Sequence, residues 1–436
     1  MHSINKKFTK NFIPLILLIF FMGVFLLART FMGVYIFGFR IGEYSILLST
    51  IFFFFSLMQY KYQIIKNHIP MSIVVLLALL SSSFLLFVVL SNGNFLNMYI
   101  YKSSSYIWSF GFLFLGGTIS NYLNFKKEIF FLFLLILTYI YFLSIYGIPE
   151  NLQNQFLKYS DKFEYHKGSD ILIMFLSIFF IGNRTNFSKN FRLDTFIYFG
   201  ALFLPLLLYK SRGAFIAFLL YFILELNFLK SDFRRPLKKN LILILVTGII
   251  FLQSVSIVNK NGPIEVDEIS ANLNFLVEYR QVPVGVENID NNFLFIENSR
   301  LFSRDGNLNW RLQIWQDMIE DLISEQNLLI GFGYDEKFPA MNDPFRSGDD
   351  GTNENVHNFL INVLGRGGLT HLTLYLGVYY FLVKKLISIN NIYILNFIIP
   401  VIFASFFDAS MENSHFPLLF YFIIGLMFNT KNKKDN

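Results

Sequence analysis

Long apolar runs, nearly free of charge, alternate with short polar connections along most of the chain. Such runs predict helices that cross a membrane, because roughly 20 apolar residues in a helix span a hydrocarbon core of ~30 Å. Twelve are present, at about 12–28, 41–58, 70–90, 106–121, 129–148, 169–182, 193–209, 213–229, 240–258, 358–383, 391–407 and 416–429. The second, fourth and sixth are short or interrupted. Barrel strands would alternate with a period of two, so a β-barrel is excluded. One polar stretch divides the chain into residues 1–258 with nine spans, a large loop over 259–356, and residues 357–436 with three more spans and a tail. The expected fold is an all-α polytopic membrane protein of about 12 transmembrane helices, with one large, partly helical loop outside the membrane.

Within the loop, Asn309 to Gln326 has helical periodicity, with Arg311, Trp315, Met318 and Leu322 on one stripe. A guanidinium heading such a stripe either snorkels from it or faces an anion, since burying it unpaired is costly. Gly331-Phe332-Gly333 reads as a turn, and the region of Pro283, Gly285 and Asn288 as irregular or short-strand structure. Asn342 to Asn355 is too polar for a core element. His357 stands where acidic, Asn-rich sequence gives way to Phe359-Leu360-Ile361, at or near a membrane surface. Alone it would be a hydrogen-bonding surface residue; convergence of other polar groups on the same face would make it a candidate catalyst.

Charge sets the sidedness. Twenty Lys and Arg fall in alternate connections and the two ends, against eight in the short connections of the opposite set. The positive-inside bias therefore puts both termini in the cytoplasm and the large loop outside. That loop holds 18 of the 30 acidic residues and seven Lys plus Arg, so the net charge of +6 is a topology signal and no nucleic-acid footprint. Leu26-Leu27-Ala28-Arg29 offers no small-x-small cleavage site, and the first run reads as an uncleaved span. With no cysteine, disulfides, thiolate catalysis and Cys-ligated metals are ruled out. The six His lack metal-ligand spacing, and neither a Walker loop nor G-x-G-x-x-G is present, so no metal, ATP or NAD cofactor is expected.

Lys210-Ser211-Arg212-Gly213-Ala214 joins two spans almost without a loop, on the outer side. Two cations there run against the positive-inside bias. They either snorkel to headgroups or serve a phosphate, which Arg212 could bind bidentately beside a helix N-terminus. Arg366 lies either about 12 Å along a span beginning at Asn358 or at the end of a short interfacial helix, with the span starting near Leu369. Asp408 and Glu412 are possible partners for it or ordinary loop carboxylates. Arg40 and Glu43 read as a local ion pair, and Glu225 as structural.

Taken in order, three stretches resemble the O-antigen ligase and Wzy polymerase superfamily of bacterial membrane glycosyltransferases. They are Ser211-Arg212-Gly213-Ala214; Arg311-x-x-x-Trp315 with Gly331-Phe332-Gly333; and His357-Asn358-Phe359-Leu360 with Gly367-Gly368-Leu369. Phe407-Asp408 with Met411-Glu412 adds to the likeness, which covers about residues 195–429. The chain departs from the family pattern in having Asn327-Leu328-Leu329-Ile330 where a Pro usually precedes the glycine pair, and Arg366 where an acidic residue is common.

The resemblance implies a metal-independent, inverting glycosyltransferase of the GT-C type, in the bacterial inner membrane with a periplasmic loop. Its donor would be an undecaprenyl-pyrophosphate-linked glycan, and its acceptor a hydroxyl of lipid A-core or of another repeat unit. Arg212 and Arg311 would bind the pyrophosphate, and His357 would orient or deprotonate the acceptor. Lys210, Trp315, Asn358 and Arg366 are the candidate substrate-binding residues. Membrane lipids and other polysaccharide-assembly proteins are the expected further partners, with no nucleic acid. Ligase and polymerase need the same groups and stay unseparated. The competing class is a multi-span transporter or lipid-linked oligosaccharide flippase, in which binding groups would lie near the midplane.

Overall fold

A computed structural model describes residues 2–59, 69–91, 93–95, 97–120, 127–160, 163, 165–182, 185, 187–229, 237–262, 293–297, 299–342, 346, 354, 356–388, 392–408 and 410–428. The loop region around Pro283 and most of Asn342 to Asn355 lie outside these residues.

Among the described residues, each of the twelve apolar runs contains helix. In chain order come α1 (His2–Met32), a short hairpin of β1 (Tyr35–Ile36) and β2 (Phe39–Arg40), α2 (Ile41–Gln59) and α3 (Met71–Leu90). Three short helices follow, α4 (Met98–Ser103), α5 (Ser105–Trp108) and α6 (Gly111–Ile119), the last two sharing one predicted span. Next are α7 (Lys127–Tyr146), the outlying α8 (Glu150–Tyr159), α9 (Gly168–Gly182), α10 (Lys189–Lys210), α11 (Arg212–Leu229) and α12 (Leu237–Asn261). The loop contributes the antiparallel hairpin β3 (Leu294–Glu297) and β4 (Arg300–Ser303), then α13 (Gly306–Ser324). The chain closes with α14 (Phe359–Ser388), α15 (Leu395–Ser405) and α16 (His415–Met427). Among the described residues the fold is all-α apart from the two hairpins. Among the described residues four helices, α3, α7, α10 and α12, have the length and apolarity of a membrane crossing, and six shorter apolar helices accompany them. These are the features of a polytopic membrane protein.

Burial separates the helices into an inner and an outer set. Every residue of α9 is buried, and this helix packs against α7, α10, α11, α15 and α16. α12 instead exposes Leu241, Ile244, Leu245 and Leu252, an apolar face suited to lipid. Deep in the bundle α6 and α16 approach so closely that a Cβ on Gly116 would lie 2.2 Å from the Phe422 carbonyl oxygen. Glycine at that contact lets dispersion act between backbones.

The loop is anchored by a break in α14. At Gly368 the main chain takes φ 62°, ψ −165°, a conformation essentially open only to glycine. The groups released by the break are taken by residues 328–333. The N–H of Leu369 donates to Leu328 O at 2.9 Å, while Phe332 and Gly333 donate to Gly365 O and Arg366 O at 2.7 and 3.2 Å. Of the two placements considered for Arg366, the short helix ending before Leu369 is therefore the one observed. Arg366 is buried, donating to the Glu336 and Gly333 carbonyls at 2.6 and 3.3 Å and to Tyr99 Oη at 3.0 Å. Its guanidinium carbon also sits 4.0 Å from the Phe338 ring centroid. Its hydrogen bonds tie the loop to the bundle.

Smaller readings resolve similarly. Glu43 meets Arg40 through the main chain, its carboxylate accepting the Arg40 backbone N–H at 2.9 Å while Arg40 Nε donates to Tyr35 Oη at 3.1 Å, and Glu225 accepts from Tyr393 and Asn396 at 3.1 and 3.2 Å. On α13 the stripe buries Met318 and Leu322 together with Ile314, leaving Arg311 and Trp315 partly exposed at its head. Substituting Gly368→Ala forces a Cβ to 2.3 Å from the Leu329 carbonyl carbon in a backbone region costing about 1–3 kcal/mol for other residues. The variant should melt well below wild type in detergent, whereas Gly248→Ala, with open space around it, should not.

Candidate active site

One residue, Ser211, separates α10 from α11, in an extended conformation with φ −160° and ψ 117°. The turn is wedged tightly: a Cβ on Gly168, the first residue of α9, would lie 2.7 Å from Ser211 Cβ, and one on Gly213 would lie 3.1 Å from Phe407 Cβ. The start of α9, the α10–α11 turn and the end of α15 thus meet at one end of the bundle.

Arg212 projects from this junction. Its Nη1 donates to Asp305 Oδ2 at 2.5 Å, and its side chain is 80% exposed. Asp305 is the N-cap of α13, its Oδ1 accepting from the Leu308 N–H at 2.9 Å. A single carboxylate therefore starts the loop helix and holds Arg212 beneath it. Exposed ion pairs contribute about 0–1 kcal/mol, so a more highly charged anion can take Arg212 from Asp305.

His357 has φ 51°, a left-handed conformation uncommon for a residue other than glycine. Its neighbours hold it there. Trp315 Nε1–H donates to Val356 O at 2.7 Å, and Asn358 Oδ1 caps α14 by accepting from the Leu360 and Ile361 N–H groups at 3.0 and 3.2 Å. The Trp310 ring meets the imidazole edge-on at a centroid distance of 5.2 Å. Trp315 and Asn358, candidates for substrate contact, thus position the histidine. Burial, then the charge of Arg311 and then that of Lys167, lowers the His357 pKa to about 3, so its ring is neutral at physiological pH. Lys210 ends α10 beside the same junction, where its charge is felt by His166.

A second group of residues carries no signal in local spacing. Asp170 Oδ2 accepts from the Lys167 N–H at 3.1 Å, and Asp170 Oδ1 lies 2.8 Å from His415 Nε2. Ser169 Oγ donates to Asp408 Oδ2. His166 Nε2 donates at 3.2 Å to Phe25 O, three residues before the α1 kink at Ala28, and burial lowers its pKa to about 4. Glu412, in the connection from α15 to α16, is pushed up to about 8 by burial, with Arg366 opposing and Asp408 reinforcing the shift. The signal that could have revealed the pair was Asp170 and His415 each heading an apolar run, where an ionisable residue calls for a partner. Among the described residues no cluster of three or more His, Asp or Glu is placed to hold a metal ion.

The arrangement is cationic and partly open to water. Arg311 from α13 and Lys167 from the approach to α9 act on the neutral imidazole, and Arg212 from the turn is tied to the N-cap of the same loop helix, Asp305. Residues 197–376 match the model of the O-antigen ligase family. This segment belongs to the O-antigen ligase and Wzy polymerase superfamily. The O-antigen ligase match runs from α10 into α14 and contains Lys210, Arg212, Arg311, Trp315, His357, Asn358 and Arg366. Asp170, Asp408, Glu412 and His415 fall outside it. No curated protein matches the chain.

The depressed His357 pKa has a consequence for stability. Below the unfolded value of about 6.5 the unfolded chain gains a proton that the folded chain refuses, so this residue's contribution is lost as pH falls from about 6.5 towards about 3. His357→Gln should therefore narrow the drop in melting temperature between about pH 7 and about pH 5 relative to wild type.

Proposed function

We propose that this O-antigen ligase-family protein transfers a glycan from undecaprenyl pyrophosphate to an acceptor hydroxyl at the periplasmic face of the bacterial inner membrane. In this reading the chain crosses the membrane twelve times, with both termini in the cytoplasm and the large loop over the site. The observation that carries it is that Asp305, which starts the loop helix, holds Arg212 at the α10–α11 turn, while Arg311 of the same helix, with Lys167, stands near a His357 kept neutral chiefly by burial. A lipid pyrophosphate lies at the membrane surface, and its charge grows on the bridging oxygen as the glycosidic bond breaks.

Arg212, released from Asp305, pairs with the pyrophosphate, and Arg311 supports the charge from the loop side. His357 lines up the reacting groups by hydrogen bonding without carrying charge. The acceptor oxygen attacks the anomeric carbon as the pyrophosphate departs from the opposite side, so the configuration inverts in a single displacement. The protein's fixed cations supply the electrostatic stabilisation, and the reading requires no metal ion. The acceptor is either lipid A-core, giving a ligase, or another lipid-linked unit, giving a polymerase.

A gel profile of surface polysaccharide tests the assignment in a deletion strain complemented with wild type, Arg212→Ala, Arg311→Ala or His357→Ala. Each variant should lose on the order of 100-fold or more in transfer. Absence of all glycan on lipid A identifies a ligase, and a single-repeat band identifies a polymerase. A wild-type profile from all three variants contradicts glycosyl transfer and favours a transporter or flippase.

A further inference from the structure

A polar set joins α9 to the α15–α16 connection and the head of α16, and three of its groups are orphaned. Asp170 uses both oxygens, one on the Lys167 N–H and one on His415. A carboxylate only accepts, so His415 Nε2 carries the proton and Nδ1 is the bare nitrogen. His415 is 1% exposed, and Nδ1 has no hydrogen-bond partner among the described residues. The buried Ser410 Oγ and Glu412 Oε1 on the same connection also lack partners. Buried polar groups are nearly always satisfied, so three orphans within six residues require an explanation. The connection is also linked to the site: Asp408 holds Ser169, Phe407 faces Gly213, and Gly168 faces Ser211.

We propose that this connection is the acceptor subsite, where Ser410 and Glu412 hold sugar hydroxyls and His415 Nδ1 takes the proton of the attacking hydroxyl. The inference rests on the glycosyl-transfer reading above. The acceptor O–H bond breaks, its proton moves to Nδ1, and its oxygen forms the bond to the anomeric carbon. The electron pair of the broken glycosidic bond leaves on the pyrophosphate. Asp170 fixes the ring's tautomer and orientation and shares the positive charge that arrives with the proton. His357, neutral down to about pH 3, is a weak base and suits an orienting role better than a proton-accepting one.

The test uses the full chain in membrane vesicles containing the cell's own lipid-linked glycan, with release of polyprenyl pyrophosphate as the readout. His415→Gln keeps an N–H for Asp170 but removes the bare nitrogen. It should slow release by about 100-fold or more, while retention of the donor stays at the wild-type level. Asp170→Asn, which preserves shape but permits the other tautomer, should lose a similar factor without loss of folded protein. Wild-type release from either variant, while Arg212→Lys remains inactive, overturns the acceptor subsite and leaves the transfer reading standing. Wild-type release from Arg212→Lys and His357→Gln as well overturns the transfer reading itself.

Discussion

A helix interrupted near a membrane leaves main-chain N–H and C=O groups that hydrocarbon cannot satisfy. In this protein the interruption at Gly368 is satisfied by residues 328–333 of the large loop, and the loop's placement depends on that exchange. Arg366 reinforces it by donating to carbonyls of the same loop segment. A break that would otherwise weaken α14 thereby becomes an attachment point for a polar layer over the bundle.

The functional geometry follows from this attachment. With the loop docked, Asp305 meets Arg212, Trp315 meets the main chain before His357, and Arg311 comes close enough to influence the imidazole. Arg212, Arg311 and Lys167 reside on three separate elements, so what each one acts on is a property of the tertiary fold. The Arg212–Asp305 pair is exposed and therefore weak enough for a phosphate to displace, whereas the buried Asp170–His415 pair is held against α9 in the core. The two pairs suit different roles, one yielding its cation to a charged leaving group and the other keeping an imidazole fixed.

Much of the helical layout was legible in the sequence because continuous apolar runs leave the chain few alternatives in a membrane. The loop helix was legible from its stripe, although Ile314 rather than Arg311 or Trp315 completes the buried face. Arg212 stood out as a cation on the outer side against the positive-inside bias, Arg311 as the head of an apolar stripe, and His357 as a histidine where polar sequence gives way to an apolar run. Asp170 and His415 did not, since they are far apart in the chain and each looks like an ordinary polar residue at the head of a span. Only packing of α9 against α16 joins them. The positioning tasks of Trp315 and Asn358 were hidden for a similar reason, as a motif records which residues are present and not which hydrogen bonds they spend.

In the proposed reading the α10–α11 turn and the N-terminus of α13, joined by Arg212 and Asp305, meet on the outer, water-facing side of the membrane. The absence of cysteine permits a clean test by pairing Arg212→Cys with Asp305→Cys in intact cells with a permeabilised outer membrane. A short, membrane-impermeant bis-maleimide should link the two positions within one chain, detected after proteolysis of the loop between them. Failure to link, or labelling of position 212 only once the cytoplasm is opened, would contradict the account.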